Sequence, residues 1–516
     1  MLNSRSYWQR LNKKELLLLK TYFDYMAELS PDDIYEGLLC YGMFSDKIPP
    51  CFTSKSFYEY CVSKKGNFEN REYKYVIYNS IRNINIPRQL GIPSPMAYDN
   101  LCRCISNNWG NLLKYFESCT NNESYKTSRI HIRKIKNDGR IFEMSYDNWI
   151  DDGDVEPSIC KGAKYIVRAD ISNCFPSIYS HSIPWALVGK KKAKQEKTDK
   201  NLWTNEIDKY VRFVKDNETH GLLIGPHVSN IVSEIILTKI DSNLRMKWDY
   251  IRNIDDYTAY VKSEIEASQF LMELQRELSE FDLNLNHKKT KVTKLPKPFT
   301  TQWVRKISML SLNHGDDKID YRMLKNYLDN VIDIVNEEDD NAAVLKYALK
   351  VLNSAKLTDN ALMLKQRIFF SLGLIYPYLI PLFETYIFDS CNTEFIEISE
   401  YANLVYDEYS NSGVYEPIIY TVYWAIKYKF KLHNINISYL IGSKDTVLLT
   451  LGYYYYKKNN MKTEKSELKK YAKELLKEKE DFECNWLFVY EVLSENDGLF
   501  DGWQELKKNG IRFVKF

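Results

Sequence analysis

No stretch of this sequence is long and apolar enough to span a bilayer. The most hydrophobic segment, Ile368 to Phe383, falls short of the roughly 20 residues a membrane helix needs and is broken by Gly373, Pro377 and Pro381. No membrane association is expected. The opening residues Met1-Leu-Asn-Ser-Arg-Ser-Tyr-Trp-Gln-Arg10 lack the apolar core of a secretory signal, so no targeting segment is expected either. The ten cysteines are scattered, with Cys102 and Cys104 the one close pair. Neither a zinc spacing nor a disulfide framework emerges, which fits a reducing cytoplasm. Excess charge is missing too. The 71 basic and 69 acidic residues leave a net charge of +2, unlike a protein that coats long nucleic acid by neutralising phosphates. The segment after Lys306 is not conspicuously basic, and acidic runs such as Asn336-Glu-Glu-Asp-Asp340 occur in it.

What is present begins with length: 516 residues suggest about three domains, and 44% hydrophobic content suffices for sizeable cores. Two acidic positions then stand out because they lie on strand-like segments. Asp170 falls in Tyr165-Ile-Val-Arg-Ala-Asp170-Ile-Ser-Asn-Cys-Phe175, and Asp255-Asp256 in Tyr250-Ile-Arg-Asn-Ile-Asp-Asp-Tyr257. Asp-Asp also occurs at 32, 151, 316 and 339, where a turn or helix cap explains it. The copy at 255 alone is flanked on both sides by β-forming residues. A carboxylate at a strand end and others at a hairpin tip can converge on two divalent cations about 3.5–4 Å apart, the arrangement that stabilises both oxygens in nucleotidyl transfer. Hard oxygen donors favour Mg²⁺, with Mn²⁺ the alternative ion. Taken singly, Asp255-Asp256 reads better as a solvated turn.

The surroundings form an order. Tyr250-Ile251 and Ile254 lead into a tight hairpin with both acids at its tip, and Tyr257-Thr258-Ala259-Tyr260-Val261 lead out. A helix follows: Ser263 and Glu266 have capping-box spacing, and Phe270, Leu271, Leu274, Leu278 and Phe281 recur at helical intervals. Upstream, Gly221-Leu-Leu-Ile-Gly225 precedes a helical run from Ser229 with Ile231, Ile235 and Leu237 on its apolar side. These glycines permit close backbone approach to a ligand. Downstream, Leu283-Asn-Leu285-Asn-His-Lys-Lys289-Thr290 joins apolar alternation to lysines able to meet phosphate.

The series Asp170-Ile-Ser-Asn-Cys-Phe175, Gly-Leu-Leu-Ile-Gly225, Asn253-Ile-Asp-Asp256 and Leu-Asn-Leu-Asn-His-Lys-Lys289-Thr resembles the ordered palm motifs of reverse transcriptases. Two local signatures narrow the match. These are Ile178-Tyr-Ser-His181-Ser-Ile-Pro184-Trp185-Ala with Gly189-Lys-Lys-Lys after it, and Thr219-His220-Gly221. They resemble the bacterial abortive-infection (Abi) reverse transcriptases of the AbiK type, prophage-borne relatives included. The likeness covers residues 80–305 well, the N-terminal part loosely and the C-terminal part only in being helical. The resemblance implies that Asp170 and Asp255 ligate the metals with the Ile171 carbonyl nearby, and that Asp256 supports them. It makes Phe175 the aromatic gate that excludes a ribose 2′-hydroxyl, places Gly225 in the nucleotide-binding turn, and makes Lys289 the acid that protonates pyrophosphate. For Lys289 a surface phosphate contact, or a merely solvated lysine, is the alternative. One position departs from the family: Asn253 stands where Tyr is usual, which bears on primer handling.

The same resemblance implies template-independent DNA synthesis from dNTPs in a bacterial cytoplasm, in phage defence. It further implies priming by a hydroxyl of the protein, a single-stranded DNA product covalently attached to it, and a homo-oligomer. The phage or host trigger is unspecified. Two other readings stand beside it: a template-copying reverse transcriptase with a partner RNA, and a binding scaffold with an inactive palm. Tyrosine is the preferred priming donor because a phenol reaches far and metal coordination can deprotonate it; Tyr7, Tyr22, Tyr25, Tyr35 and Tyr41 are candidates, each equally readable as a buried aromatic.

The expected fold is α+β: an N-terminal helical part (1–85), fingers and palm (86–305), and an α-helical, HEAT-like C-terminal domain (306–516). In the fingers, Arg88 lies in a Pro-punctuated extended stretch. Arg129 to Ile141 reads as a hairpin with a basic face around an Asn-Asp-Gly turn, so that Arg88 and Arg133 are candidate triphosphate contacts or simply solvated side chains. Lys190-Lys-Lys-Ala-Lys194-Gln-Glu-Lys197 reads as a nucleic-acid contact or a solvated loop. In the C-terminal third, Leu324, Leu328, Val331, Ile332 and Val335 form one stripe, and Val344, Leu345, Ala348, Leu349 and Leu352 the next. No strict period emerges, and stacked helical pairs are expected because such stripes bury only against each other. The tyrosines at 453–456 and from Tyr415 to Tyr428 read as base-stacking surfaces or, on helices, as core.

Overall fold

The computed structural model describes residues 21–64, 68–82, 87–121, 123–135, 139–143, 154–310, 318–338 and 341–516. Eight strands occur among them: β1 (Val76–Ser80), β2 (Arg88–Ile92), β3 (His131–Ile132), β4 (Phe142–Glu143), β5 (Tyr165–Asp170), β6 (Tyr250–Asn253), β7 (Asp256–Val261) and β8 (Lys291–Lys294). The chain divides into two units. One comprises residues up to Ser45 together with Thr53–Tyr75 and Gly91–Lys297, the other Asp46–Phe52, Val76–Leu90 and Pro298–Phe516.

The first unit is built on a four-stranded antiparallel sheet in the order β6-β7-β5-β8. Strand β5 sits inside because its residues are apolar on both faces, with Ile166, Val167 and Ala169 all buried. The helices Val228–Leu244 and Glu264–Ser279 pack on each other, and the second also packs on β5 and β7. Val228–Leu244 is buried almost all round, so its apolar side is wider than Ile231, Ile235 and Leu237 alone. Glu264–Ser279 starts where its cap predicts: Ser263 accepts from the Glu266 N–H at 3.2 Å, while the Glu266 carboxylate reaches back one residue further, to the Lys262 N–H at 2.7 Å. Phe270, Leu274, Leu278 and Phe281 are buried. Leu271 is only half-buried, since it sits to one side of that stripe.

The expected hairpin in the fingers is present as a short pairing, His131 with Glu143 and Ile132 with Phe142. Asn137 and Asp138 of its turn lie outside the described residues. Of its basic residues Arg129 and Arg133 are buried, while Lys134 and Arg140 are exposed.

The second unit is helical. Tyr321–Glu337 packs on Ala342–Asn353 and Asp359–Ile375, Phe395–Tyr409 on Tyr415–Tyr428, and Tyr415–Tyr428 on Thr446–Lys458. The stripes from 324 and 344 are buried, although Ile334 is buried in place of Ile332. Strand β1 belongs here. Glu416, buried in the helix beneath it, accepts from the Tyr78 hydroxyl at 2.9 Å and the Ile81 N–H at 2.7 Å. Tyr420, Tyr423, Tyr455 and Tyr456 are core residues, so packing accounts for these tyrosines. No described helix is long and apolar enough to cross a membrane.

Candidate active site

The carboxylates meet because of register. Strand β5 ends on Asp170, β7 begins on Asp256, and antiparallel pairing sets the two directly opposite, where side chains are close enough for like charges to repel. Asp255 stands beside them in the turn, and its carbonyl accepts from the Ile171 N–H at 3.1 Å, tying the turn to the residue after Asp170. The sequence pattern places both acids at the tip. In the structure Ile254 and Asp255 make the turn, and Asp256 pairs with Asn253 as the first residue of β7. The difference arises at Ile254, which has φ +56°. A β-branched residue there costs about 1–2 kcal/mol, so its surroundings must impose the conformation.

Arg252 imposes it. Its Nη1 donates to the Ile254 carbonyl at 2.8 Å, its Nε donates to Asp241 Oδ2 at 2.8 Å, and its Nη2 bridges Glu234 and Asp241. All three side chains are buried. Ser128 donates to the other Glu234 oxygen at 2.8 Å, and the Tyr250 hydroxyl to Asp241 Oδ1 at 2.9 Å, completing the network. Burial alone would lower the Arg252 pKa, but the Asp241 and Glu234 carboxylates outweigh it and hold the guanidinium well above its ordinary value. Sequence reasoning missed these residues. A signal existed: Glu234 and Asp241 are carboxylates seven residues apart, each next to an isoleucine of the helix Val228–Leu244, and Arg252 is a cation next to Tyr250-Ile251 in a strand, so each needed a buried partner.

Asp170 is held from the other side. Asn286 donates its backbone N–H to the Asp170 carbonyl at 2.7 Å and its side-chain amide to Oδ1 at 3.0 Å. Lys289, itself largely exposed, donates to Oδ2 at 2.7 Å. Asn286 was legible only as part of its motif. Burial and then the Asp170 charge raise the Asp255 carboxyl, against Lys289 and Arg252. Burial and then the Asp255 and Asp170 charges push Asp256 up to about 6. Hydrogen bonding to Asp170 raises Lys289 in turn.

These all-oxygen, mutually repelling donors fit a hard divalent cation. Among the described residues no group of three or more His, Cys, Asp or Glu side chains already stands at metal-holding spacing. A cation held by Asp170 would compete with Lys289 and Asn286 for its two carboxylate oxygens.

After Asp170 the chain turns at Asn173 (φ +46°) into the short helix Cys174–Ser177, which carries the half-buried Phe175. The glycine motif docks on this segment: Leu222 N–H donates to the Phe175 carbonyl and Gly221 N–H to the Ile178 carbonyl, both at 2.8 Å. Gly221 has φ +85°, and a Cβ there would lie 3.0 Å from the Pro176 carbonyl oxygen. Gly225, at φ +123°, turns the chain into Pro226. Arg133 is brought elsewhere, over the Tyr25 ring at 5.2 Å. Arg88 begins β2 in the second unit. Of the tyrosines, Tyr7 lies outside the described residues, Tyr22 and Tyr35 are buried, Tyr25 is half-buried, and Tyr41 is 37% exposed.

A family model described as reverse transcriptase (RNA-dependent DNA polymerase) matches residues 102–357, just under half of the chain. That span contains the acids, the glycine motif, Asn286 and Lys289. No curated protein matches the sequence. Among solved structures, apo telomerase from Candida tropicalis is 11% identical, with 83% of this chain and 76% of that one covered and a TM-score of 0.33. The same telomerase truncated from its C-terminal domain is 13% identical, with 47% of this chain and 55% of that one covered and a TM-score of 0.26. Telomerase from Candida albicans in complex with a fragment of telomeric RNA is 13% identical, with 74% and 71% covered and a TM-score of 0.28. This chain thus spans about half of the truncated telomerase. Likeness at this level carries no inference about activity.

Proposed function

We propose that this chain, which contains a reverse transcriptase domain and is a reverse-transcriptase-like nucleotidyltransferase, builds DNA from dNTPs at Asp170, Asp255 and Asp256. We further propose that it does so without a template and from a hydroxyl of its own, as an abortive-infection defence enzyme of the bacterial cytoplasm. The observation that carries the catalytic part is the placement of Asp170 opposite Asp256, with Asp255 locked beside them in the Ile254 turn. Two Mg²⁺ (or Mn²⁺) ions, when bound, supply charge for the attacking and leaving oxygens of nucleotidyl transfer. The chain supplies the rest. Asp170 and Asp255 hold the ions with the Ile171 carbonyl, and Asp256 supports them. Phe175 fills the space beside the sugar 2′ carbon, which favours dNTPs, and Gly225 lets the backbone approach the nucleotide. Lys289 already carries its proton into the carboxylate group and can deliver it to pyrophosphate. It is the best supported of the basic candidates, because it reaches the Asp170 carboxylate directly, whereas Arg133 lies over the Tyr25 ring.

The defence role, protein priming and a homo-oligomer rest on the resemblance of the motifs around His181, Trp185 and His220. Tyr41 is the most exposed described candidate for the priming hydroxyl. A HEAT-like stack in the second unit is supported by helices that pack on their sequence neighbours.

The test uses the purified chain with labelled dNTPs and Mg²⁺ and no nucleic acid. Label should migrate with the 61.0 kDa chain after boiling in detergent and be released by protease, and Tyr→Phe at the priming position alone should remove it. Synthesis that requires added RNA and yields product free of protein would establish template copying instead.

A further inference from the structure

A cleft of about 1140 Å³ opens in the first unit, and none of Asp170, Asp255 and Asp256 lines it. One wall is aromatic. The Tyr179 ring packs edge-on against Trp185 at 5.6 Å and against His181 at 5.0 Å, and lies 4.9 Å from His220. His181 is fixed by its Nδ1, 2.7 Å from Asp208 Oδ2, and Asp208 also faces Arg212. The lining is also basic: Lys194, Lys197 and Lys200 contribute to it, as do Lys209 and Arg212 from the helix Trp203–Phe213. Glu72 and Asp199 are the other carboxylates in the lining; Asp199 accepts from the Asn201 N–H, and Asp208 is committed to His181 and Arg212.

Local folding explains the juxtaposition. The helix Ser182–Val188 stops at Gly189 (φ +86°), and the lysine run then forms a second helix, Lys190–Gln195, where the sequence pattern allows a solvated loop. Burial of Ala193 anchors that helix and brings the ammonium groups of Lys190 and Lys194 to 4.4 Å and 5.8 Å from the Trp185 ring. The wall is also coupled to the nucleotide side of the unit: Tyr179 bridges to His220, and the next residue, Gly221, docks on the segment that carries Phe175.

We infer that this cleft binds single-stranded DNA, the strand made at the acidic site, an assignment that rests on the reading of the chain as a DNA-synthesising enzyme. The chemistry selects the occupant. Aromatic faces offer stacking to an unpaired base, and flanking lysines and arginine track its phosphates, as in sequence-tolerant single-strand grooves. A duplex has no free base face to stack. A lone nucleotide underfills a volume above the range of about 300–1,000 Å³ usual for small-ligand sites and leaves most of the lining cations unused. A base entering over Trp185 displaces Lys194 from the ring and frees it for a phosphate, while Lys190 keeps its hydrogen bond to the Glu280 carbonyl at 3.0 Å.

The test is fluorescence anisotropy with a labelled thymidine 12-mer and the full chain in EDTA, so that binding is read without polymerisation. Trp185→Ala should weaken binding about tenfold or more, with Trp185→Phe retaining most of it. The exposed pair Lys197→Glu and Lys200→Glu should weaken binding and flatten the salt dependence by at least about 1.4 in the log–log slope, roughly 0.7 for each phosphate left without its cation. Wild-type affinity in the charge-reversed variant, with its circular dichroism unchanged, would overturn the assignment. Equal affinity for duplex, or tighter binding of a uridine 12-mer, would overturn it too. Because catalysis is silent in EDTA, failure here leaves the labelling test of the polymerase reading untouched.

Discussion

Arg252 spreads its donors over two buried carboxylates and one strained carbonyl. Removing it leaves Glu234 and Asp241 buried without their cation, so Arg252→Met should cost about 3–5 kcal/mol, read from urea unfolding. Its positioning role has a separate readout. Arg252→Lys keeps the charge but loses the fork that reaches Ile254. It should lower kcat per folded molecule while leaving KM for dNTP nearly unchanged, because the turn holding Asp255 is released. An unchanged kcat would make Arg252 a stabilising residue alone. At Phe175 the expectation concerns substrate choice. Phe175→Ala opens the space beside the sugar, so ribonucleotide incorporation should rise relative to deoxyribonucleotide in single-nucleotide assays; unchanged discrimination would make the ring mere packing.

Among the elements, the β6–β7 hairpin was legible because β-forming residues flank the acids on both sides. The shift of its tip to Ile254–Asp255 was not, since no sequence preference places isoleucine at positive φ and only the tertiary contact to Arg252 does so. The helix after Ser263 was legible from its cap and stripe. The helix Lys190–Gln195 was hidden because four of its six residues are lysine and it has no apolar period; it exists through Ala193 and the Trp185 ring. Another element yields a pH prediction. Asp445 caps the helix Thr446–Lys458, accepting from the Leu448 N–H at 2.9 Å, yet burial pushes its carboxyl up to about 6. The folded pKa exceeds the ordinary value of 3.8, so protonation favours the folded state. Its contribution to stability is full below about pH 4 and is lost as the pH rises through about 6. Asp445→Asn, which retains a capping oxygen, should flatten the dependence of the melting temperature on pH between 4 and 7.

At the scale of the whole molecule, the α+β character and the helical C-terminal third were legible from hydrophobic periodicity. The inclusion of Asp46–Phe52 and Val76–Leu90 in the second unit was not, because it depends on long-range partners such as Glu416 for Tyr78 and Ile81. Near-neutral net charge coexists with a concentrated basic cleft, since composition sums over the surface and binding depends on local arrangement. The central claim is that Asp170 and Asp255 perform nucleotidyl transfer. Incorporation of labelled dNTP with Mg²⁺ by wild type, Asp170→Asn and Asp255→Asn tests it directly, each substitution removing charge at nearly constant size. Both variants should unfold at urea concentrations close to wild type and lose incorporation by at least about a hundredfold, an effect of several kcal/mol on the barrier. Wild-type incorporation by a well-folded double variant would contradict the claim.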